Sequence, residues 1–123
     1  MSPSCSGVVT VRVYNFDPRA EKLKSEEIAV QITVEGHSGK GRKGNDVACA
    51  GISAIAQTAV VGISRVAGLR QRITQREGYL DSVVETSGDR GKTEALRVII
   101  ATMVAGLTEL EKTYPGSMQM KFD

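Results

Sequence analysis

Hydrophobic and polar residues alternate along two segments in the first third of the chain. In "GVVTVRVYNF", Val9, Val11 and Val13 alternate with polar neighbours. The segment "IAVQITVEG" repeats the pattern, and its apolar positions are Ile28, Val30, Ile32 and Val34. A period of two is typical of a strand with one buried face. The pattern predicts two strands, which are antiparallel if the connection between them is a hairpin.

Two longer segments favour helices. The segment "NDVACAGISAIAQTAVVGISRVAG" is rich in Ala and Gly, has an Asn or Asp available as N-cap, and ends in a glycine suited to the position after a helix. In "EALRVIIATMVAGLTELEKTY", one helical face carries Leu96, Ile99, Ile100, Met103, Leu107, Leu110 and Tyr114. Pro115 and Gly116 end this second helix.

The remaining segments complete a sheet. "LRQRITQREGYLDSVVE" predicts two strands around Glu77 and Gly78, and "SMQMKF" predicts a last edge strand. This order of elements indicates an α+β fold: a two-layer domain with a mostly antiparallel sheet packed against two long helices. We expect one domain over residues 1–123, with residues 1–7 disordered.

Composition and charge narrow the class of protein. Hydrophobic residues make up 41% of the chain and charged residues 24%, which is globular composition. A net charge of +2 is too small to indicate nucleic-acid binding by itself, although Lys40, Arg42 and Lys43 form a local basic patch. The start of the chain lacks the features of a signal peptide, and no apolar stretch is expected to approach a membrane span. We therefore expect a cytoplasmic protein without membrane contact.

The chain has two cysteines, Cys5 and Cys49, and one histidine, His37. This content indicates neither a disulfide framework nor a metal site, so we expect a reducing compartment, no metal and no cofactor. Cys5 is interpreted as an incidental exposed thiol.

Cys49 and His37 are candidates for nucleophilic catalysis. The polar residues of the first helix form one stripe, which consists of Asp46, Cys49, Ser53, Gln57 and Ser64. This pattern puts Cys49 near the first turn, where the helix dipole favours a thiolate and unpaired N–H groups favour an oxyanion. His37 follows the second strand and can act as general base if the glycine-rich loop folds back. Asp46 either orients the imidazole or caps the helix.

The same residues allow other interpretations. A cysteine in an Ala-rich helix is more often a small buried hydrophobic residue. Gly39, Gly41 and Gly44 fit the G-x-G-x-x-G motif of nucleotide-binding proteins, although no acidic residue follows about twenty positions later and the preceding strands resemble a hairpin. The basic residues of the loop also fit a solvated surface, or a non-catalytic protein that contacts RNA or other acidic groups.

The segment "EGHSGKGRKGNDVACAGISAIAQTAV" resembles the signature of the bacterial ribosomal-processing cysteine proteases, in which a G-H-A element precedes a flexible loop and a D-[IV]-V-C-A-A helix start. "GYL" and "IIATMVAGLTELEKTYPGSMQM" resemble later parts of that family, so the likeness spans nearly the whole chain. Ser38, Ala48 and Gly51 depart from the family pattern, and the connection from Asp17 to Glu27 is longer than expected. None of these departures removes a reacting group.

The resemblance implies a homodimeric cytoplasmic endopeptidase. Its substrate would be the N-terminal extension of a large-ribosomal-subunit protein, number twenty-seven, cleaved during ribosome maturation, and ribosome association would follow. Cys49 matches the family nucleophile, His37 its general base, and Asp46 the acidic position of the motif. The expected flexible or substrate-binding residues are Gly36, Ser38, Gly39, Gly41, Gly44 and Ser53.

Overall fold

The computed structural model describes residues 8–36 and 43–123, with residues 43–46 described through their backbone only. Within these ranges lie seven strands and two helices. They are β1 (Val9–Tyr14), β2 (Phe16–Asp17), β3 (Lys22–Leu23), β4 (Val30–Glu35), α1 (Lys43–Arg65), β5 (Gln71–Arg76), β6 (Tyr79–Val84), α2 (Arg90–Thr113) and β7 (Met118–Phe122).

Five of the strands form one sheet in the order β5-β6-β4-β1-β7. β1 pairs antiparallel with β4, with Val11 opposite Val34, as a hairpin connection predicts. β4 with β6 and β6 with β5 are also antiparallel, whereas β7 pairs parallel with β1. The predicted α+β fold with a mostly antiparallel sheet and two long helices is confirmed.

The core lies between one face of this sheet and the two helices. The alternating residues Val9, Val11 and Val13 of β1 are buried, as the period-two pattern predicts. The helices add a larger set of buried residues: Ile52, Ala56 and Ile63 from α1, and Leu96, Ile100, Met103 and Leu107 from α2. Aliphatic side chains therefore supply most of the buried surface, which is the main favourable term in folding.

The two helices run antiparallel and approach closely at small residues. A Cβ added at Gly51 would lie 3.0 Å from Cδ2 of Leu110, and one added at Gly62 would lie 3.6 Å from Cδ1 of Ile99. The start of α1 is thus beside the end of α2.

The structure corrects several expectations about the ends of elements. Ile28 lies outside β4 and is 49% exposed, and its carbonyl accepts a hydrogen bond from the Asn15 side chain instead of pairing in the sheet. Helix α1 begins at Lys43, two residues before the Asn45 at which the sequence predicted a cap. The short strands β2 and β3 fill the connection that the sequence indicated only as long and charged.

One helix has the dimensions of a membrane span. The 19-residue stretch Val47–Arg65 is long and apolar enough to cross a membrane by length and composition. The expectation that no apolar stretch approaches this length is therefore wrong. Core helices of soluble proteins pass the same test, and α1 here contributes Ile52 and Ile63 to the core, so this evidence for a membrane is weak.

Candidate active site

The candidate site lies at the end of the sheet where β4 stops. Gly36 follows β4 with φ of 98°, and its N–H donates to the carbonyl of Gly78 at 2.7 Å. Gly78 belongs to the turn between β5 and β6 and also has a positive φ, of 77°. Glycine adopts a positive φ far more readily than most other residues do. The β5–β6 turn is therefore fixed against the residue that precedes His37.

The end of α2 and the start of β1 reach the same end of the sheet. The N–H of Ser117 donates to the carbonyl of Tyr114 at 3.1 Å, and the N–H of Val9 donates to the carbonyl of Ser117 at 3.1 Å. The hydroxyl of Ser117 is buried and has no hydrogen-bond partner among the described residues. Sequence reasoning did not single out Ser117 or Gly78, although the glycine of the predicted turn was visible.

Cys49 points into the core of the protein. Its exposed fraction is 3%, and it belongs to the buried cluster between the helices and the sheet. It shares the sheet-facing line of α1 with Ile52, Ala56 and Ile63, at spacings of three, four and seven. The expectation that Cys49 faces the polar stripe is therefore wrong, because the apolar line passes through it.

The helix start is also farther from Cys49 than the sequence indicated. Since Lys43 is the first residue of α1, Cys49 is the seventh and lies in the second turn. The unpaired N–H groups and the dipole field act mainly on the first turn. The first-turn position assigned to Cys49 is wrong, so the helix start stabilises a thiolate at this position less than expected.

Cys49 is disulfide-bonded in the structure. A disulfide sulfur is not a nucleophile, because attack on a carbonyl needs a thiolate. Nucleophilic chemistry at Cys49 therefore requires reduction, followed by exposure of a sulfur that is buried in the core. The expectation of free thiols does not hold for Cys49, and Cys5 lies outside the described residues.

Some of the other candidate residues lie in the described part of the chain, and some lie outside it. His37, Ser38, Gly39 and Gly41 lie outside the described residues, as does the predicted disordered segment 1–7. Gly44 is the second residue of α1 and so belongs to a helix and not to the predicted loop. Asp46 is the fourth residue of α1, so it lies inside the first turn of the helix and not at the N-cap position that the sequence allowed for it.

The remaining polar stripe of α1 contacts β5 at its C-terminal end, through Ser64. Gln57 donates to the hydroxyl of Ser53 at 2.9 Å. Farther along, the side chain of Gln71, the first residue of β5, donates to the hydroxyl of Ser64 at 2.6 Å and accepts from Ser82 at 2.6 Å. We call the residues Ser53, Gln57, Val61 and Ser64 the β5-facing flank of α1.

The described part of the molecule offers no cluster of metal ligands, and its shifted pKa values belong to one pair of charged residues. Among residues 8–36 and 47–123, no group of three or more His, Cys, Asp and Glu side chains could hold a metal ion. The pKa of the Glu94 carboxyl is lowered by a side-chain hydrogen bond from Arg97, and the pKa of Arg97 is raised by the same bond. This pair lies near the start of α2, at the end of the molecule opposite the candidate site.

Comparison with known proteins defines the class. A family model described as cysteine protease Prp matches residues 20–119, a range that includes both His37 and Cys49. The protein is a cysteine protease, so the catalytic interpretation of the sequence is confirmed over the non-catalytic one. More narrowly, the chain belongs to the cysteine protease Prp family.

Solved structures agree in fold. The structure of an essential ribosomal processing protease Prp from S. aureus in complex with a substrate peptide has a TM-score of 0.70 and 21% identity, covering 94% of this chain and 100% of that one. The S. aureus protease with a covalently linked product peptide has a TM-score of 0.68, 20% identity and the same coverage. SMU.848 from Streptococcus mutans has a TM-score of 0.67 and 18% identity, covering 94% of both chains. No curated protein matches the sequence.

Proposed function

We propose that this cysteine protease removes the N-terminal extension of a large-ribosomal-subunit protein, number twenty-seven, during ribosome maturation. The observation that carries the proposal is the family match over residues 20–119, which includes His37 and Cys49. The S. aureus protease of the same fold is described as a ribosomal processing protease and was crystallised with a substrate peptide. A peptide of ribosomal origin is the substrate class that these facts favour.

In the proposed reaction, reduced Cys49 gives its proton to His37 and attacks the scissile carbonyl, forming a carbon–sulfur bond. The tetrahedral intermediate collapses to a thioester, and the imidazolium returns the proton to the leaving amine. Water then loses a proton to the imidazole, attacks the thioester and releases the new carboxyl end with the thiol restored. Asp46 orients the imidazole in this scheme.

The buried position of Cys49 adds two steps before this chemistry. The disulfide must be reduced, and the sulfur must become accessible to a peptide carbonyl. Burial disfavours the charged form of any thiol, so uncovering the sulfur also favours the thiolate. Movement of the loop that contains Ser38, Gly39 and Gly41 is the proposed means of uncovering it. Ser53 lies one helical turn beyond Cys49 and is only partly buried, and these two facts support its proposed contact with the bound peptide.

The test is to incubate the reduced protein with the full-length ribosomal protein from the same genome and to identify new N-termini by mass spectrometry. We expect a single cleavage in the N-terminal extension, which Cys49→Ala abolishes and the matched variant Cys5→Ala does not. Cleavage by Cys49→Ala at the wild-type rate would exclude Cys49 as nucleophile. No cleavage by wild-type protein under reducing conditions would reject this substrate.

We also propose that the protein forms a homodimer through a groove between the two helices. The groove has a volume of about 490 Å³, and its walls include Ile55, Gly62, Val98 and Ile99. The hydroxyls of its two threonines donate to backbone carbonyls one turn earlier, at 2.6 Å for Thr58 and 2.7 Å for Thr102, so these hydroxyls are satisfied within the helices. An exposed apolar surface of this kind favours burial against a second copy.

Sedimentation velocity at micromolar concentration tests the dimer. We expect the wild-type protein to sediment as a dimer and Thr102→Lys as a monomer, because the lysine would place a charge in the groove. Thr113→Lys, at an exposed position at the end of α2 outside the groove, should leave the dimer intact. A monomeric wild-type protein, or a dimeric Thr102→Lys, would reject this interface.

Cytoplasmic location and ribosome association complete the proposal. A protease that acts on a newly made ribosomal protein needs access to the compartment of ribosome assembly. Co-sedimentation with ribosomal particles at low salt should be lost as the salt concentration rises, because contacts with RNA phosphates are salt-dependent. Failure to co-sediment at any salt concentration would remove ribosome association from the proposal.

A further inference from the structure

β5 is the last strand on one side of the sheet, and its outer edge is open. Of its six residues, Gln71 is partly buried and the other five are exposed. In the part of the chain that the structure describes, β6 is the only strand that pairs with it. An exposed strand edge is a template for pairing with another extended chain.

The register shows which backbone groups point outward. The N–H of Glu85 donates to the carbonyl of Arg70 at 3.0 Å, so Arg70 and Glu85 form a hydrogen-bonded pair. Because such pairs alternate along an antiparallel ladder, Arg72, Thr74 and Arg76 also bond to β6. The N–H and C=O groups of the intervening residues, Gln71, Ile73 and Gln75, therefore point away from the sheet.

The side chains of β5 give the two sides of this edge different chemistry. Ile73 is opposite buried Ser82, so it lies on the helix side of the sheet, where it is 46% exposed. Val61, on the β5-facing flank of α1, is 50% exposed. Arg72 and Arg76 lie on the other side of the sheet and are exposed. On the helix side, the exposed isoleucine lies between the two glutamines of β5, and the other side is basic.

The edge leads to the candidate active site. β5 runs from the end of α1 toward Arg76, and the turn that follows contains Gly78, which accepts the hydrogen bond from Gly36. Cys49 lies on α1 one turn before Ser53, where the β5-facing flank begins. A peptide paired with β5 would therefore reach the end of the sheet where β4 ends and Gly36 precedes His37.

We propose that the substrate peptide binds as an added antiparallel or parallel strand on the outer edge of β5, with its backbone bonded to Gln71, Ile73 and Gln75. Main-chain bonds supply affinity in this mode of recognition, and alternate side chains supply specificity. Peptide side chains on the helix side would be apolar, to pack beside Ile73 and Val61. Those on the other side would be acidic or aromatic, to meet Arg72. This inference rests on the proposed proteolytic function.

N-methylation of the peptide tests the pairing directly. The probe is a fluorescent synthetic peptide of the ribosomal protein's N-terminal extension, with one amide methylated at a time, and its binding to Cys49→Ala is followed by anisotropy. Losing one backbone hydrogen bond should weaken binding about threefold to tenfold, and methylation should do so at every second position. Equal effects at all positions would overturn the proposal.

A pair of enzyme variants tests the same edge from the other side. Gln75→Pro removes an outward N–H while keeping the bonds to β6, and proline is tolerated on an edge strand whose N–H faces outward. Gln75→Ala removes the side chain alone and is the matched control. We expect KM to rise about threefold to tenfold for Gln75→Pro relative to Gln75→Ala, with kcat unchanged. Equal KM values in the two variants would overturn the inference.

The outcomes separate this inference from the proposed function. Cleavage of the peptide without the alternating methylation effect rejects the β5 edge and keeps the proposed function. Alternating binding to Cys49→Ala without cleavage by the wild-type protein supports the edge and rejects the substrate assignment. Neither binding nor cleavage rejects both. If Gln75→Pro changes the sedimenting mass of the protein, a second copy occupies the edge and the peptide assignment is overturned.

Discussion

Asn15 holds the end of the sheet opposite the candidate site. Its replacement by glycine or by alanine should lower the free energy of unfolding by different amounts. It is 4% exposed, has φ of 73°, and follows β1 directly. Its Nδ2 donates to the carbonyls of Ser25 at 2.8 Å and Ile28 at 3.0 Å, and its Oδ1 accepts from the N–H of Ser25 at 2.9 Å. One side chain thus satisfies three backbone groups in the long connection.

The expected loss of stability follows from these contacts. Asn15→Gly retains the positive φ but loses three hydrogen bonds, each with a net contribution of about 0.5–1.5 kcal/mol, so the free energy of unfolding should fall by about 1.5–4.5 kcal/mol. Asn15→Ala loses the same bonds and also holds a Cβ in the left-handed region, which should cost about 1 kcal/mol more. Asparagine is among the few residues that adopt this conformation readily.

Urea unfolding of the wild-type protein and both variants under one redox condition measures these differences. The variants should keep the wild-type kcat/KM well below their melting temperatures, because Asn15 lies at the far end of β1 from the site. The reasoning fails if Asn15→Ala is as stable as Asn15→Gly. It also fails if both variants unfold within about 0.5 kcal/mol of the wild-type protein, less than one net hydrogen bond.

Three further predictions concern other parts of the molecule. Ser82→Ala leaves the partly buried side-chain oxygen of Gln71 without its donor at 2.6 Å, and should lower the free energy of unfolding by about 1–3 kcal/mol in urea titrations. An unchanged urea midpoint would contradict this. Peptidase activity should require a thiol reductant, because Cys49 is disulfide-bonded, and full activity after complete oxidation would refute it. Glu94→Gln should hardly change the melting temperature, since its ion pair with Arg97 is exposed. Because the pKa of Glu94 is lowered in the fold, its small contribution to stability is present above the ordinary carboxyl pKa and is lost as pH falls through the lowered value, where the melting temperatures of wild type and Glu94→Gln should converge.

Local patterns predicted most of the elements, because each element buries one regular face. The alternation in β1 and β4 and the helical face of α2 are properties of neighbouring residues, and the structure confirms them. The partner of β7 could not be predicted in this way, since periodicity carries no information about which strand lies beside it. The strands β2 and β3 have two residues each, too few to show any period.

The candidate site was harder to predict than the fold. Two stripes of α1 pass close to Cys49, a polar one through Ser53 and an apolar one through Ile52. The sequence prediction assigns Cys49 to the polar stripe. Burial of the apolar stripe against the sheet places Cys49 inside. The start of α1 was also misplaced, because the glycine and asparagine at positions 44 and 45 disfavour helix by propensity and yet lie within its first turn. Tertiary context overrides propensity at this point.

The bond between Gly36 and Gly78 has a consequence for how relatives of this chain can diverge. Both residues have a positive φ, which a side chain would strain. Their backbone hydrogen bond of 2.7 Å fixes the distance between the end of β4 and the β5–β6 turn. Insertions in the β5–β6 turn would move the carbonyl that holds Gly36 at the end of β4, so we expect length changes in this turn and in β4 to accompany one another. Natural variants should therefore alter these two segments together or leave both untouched.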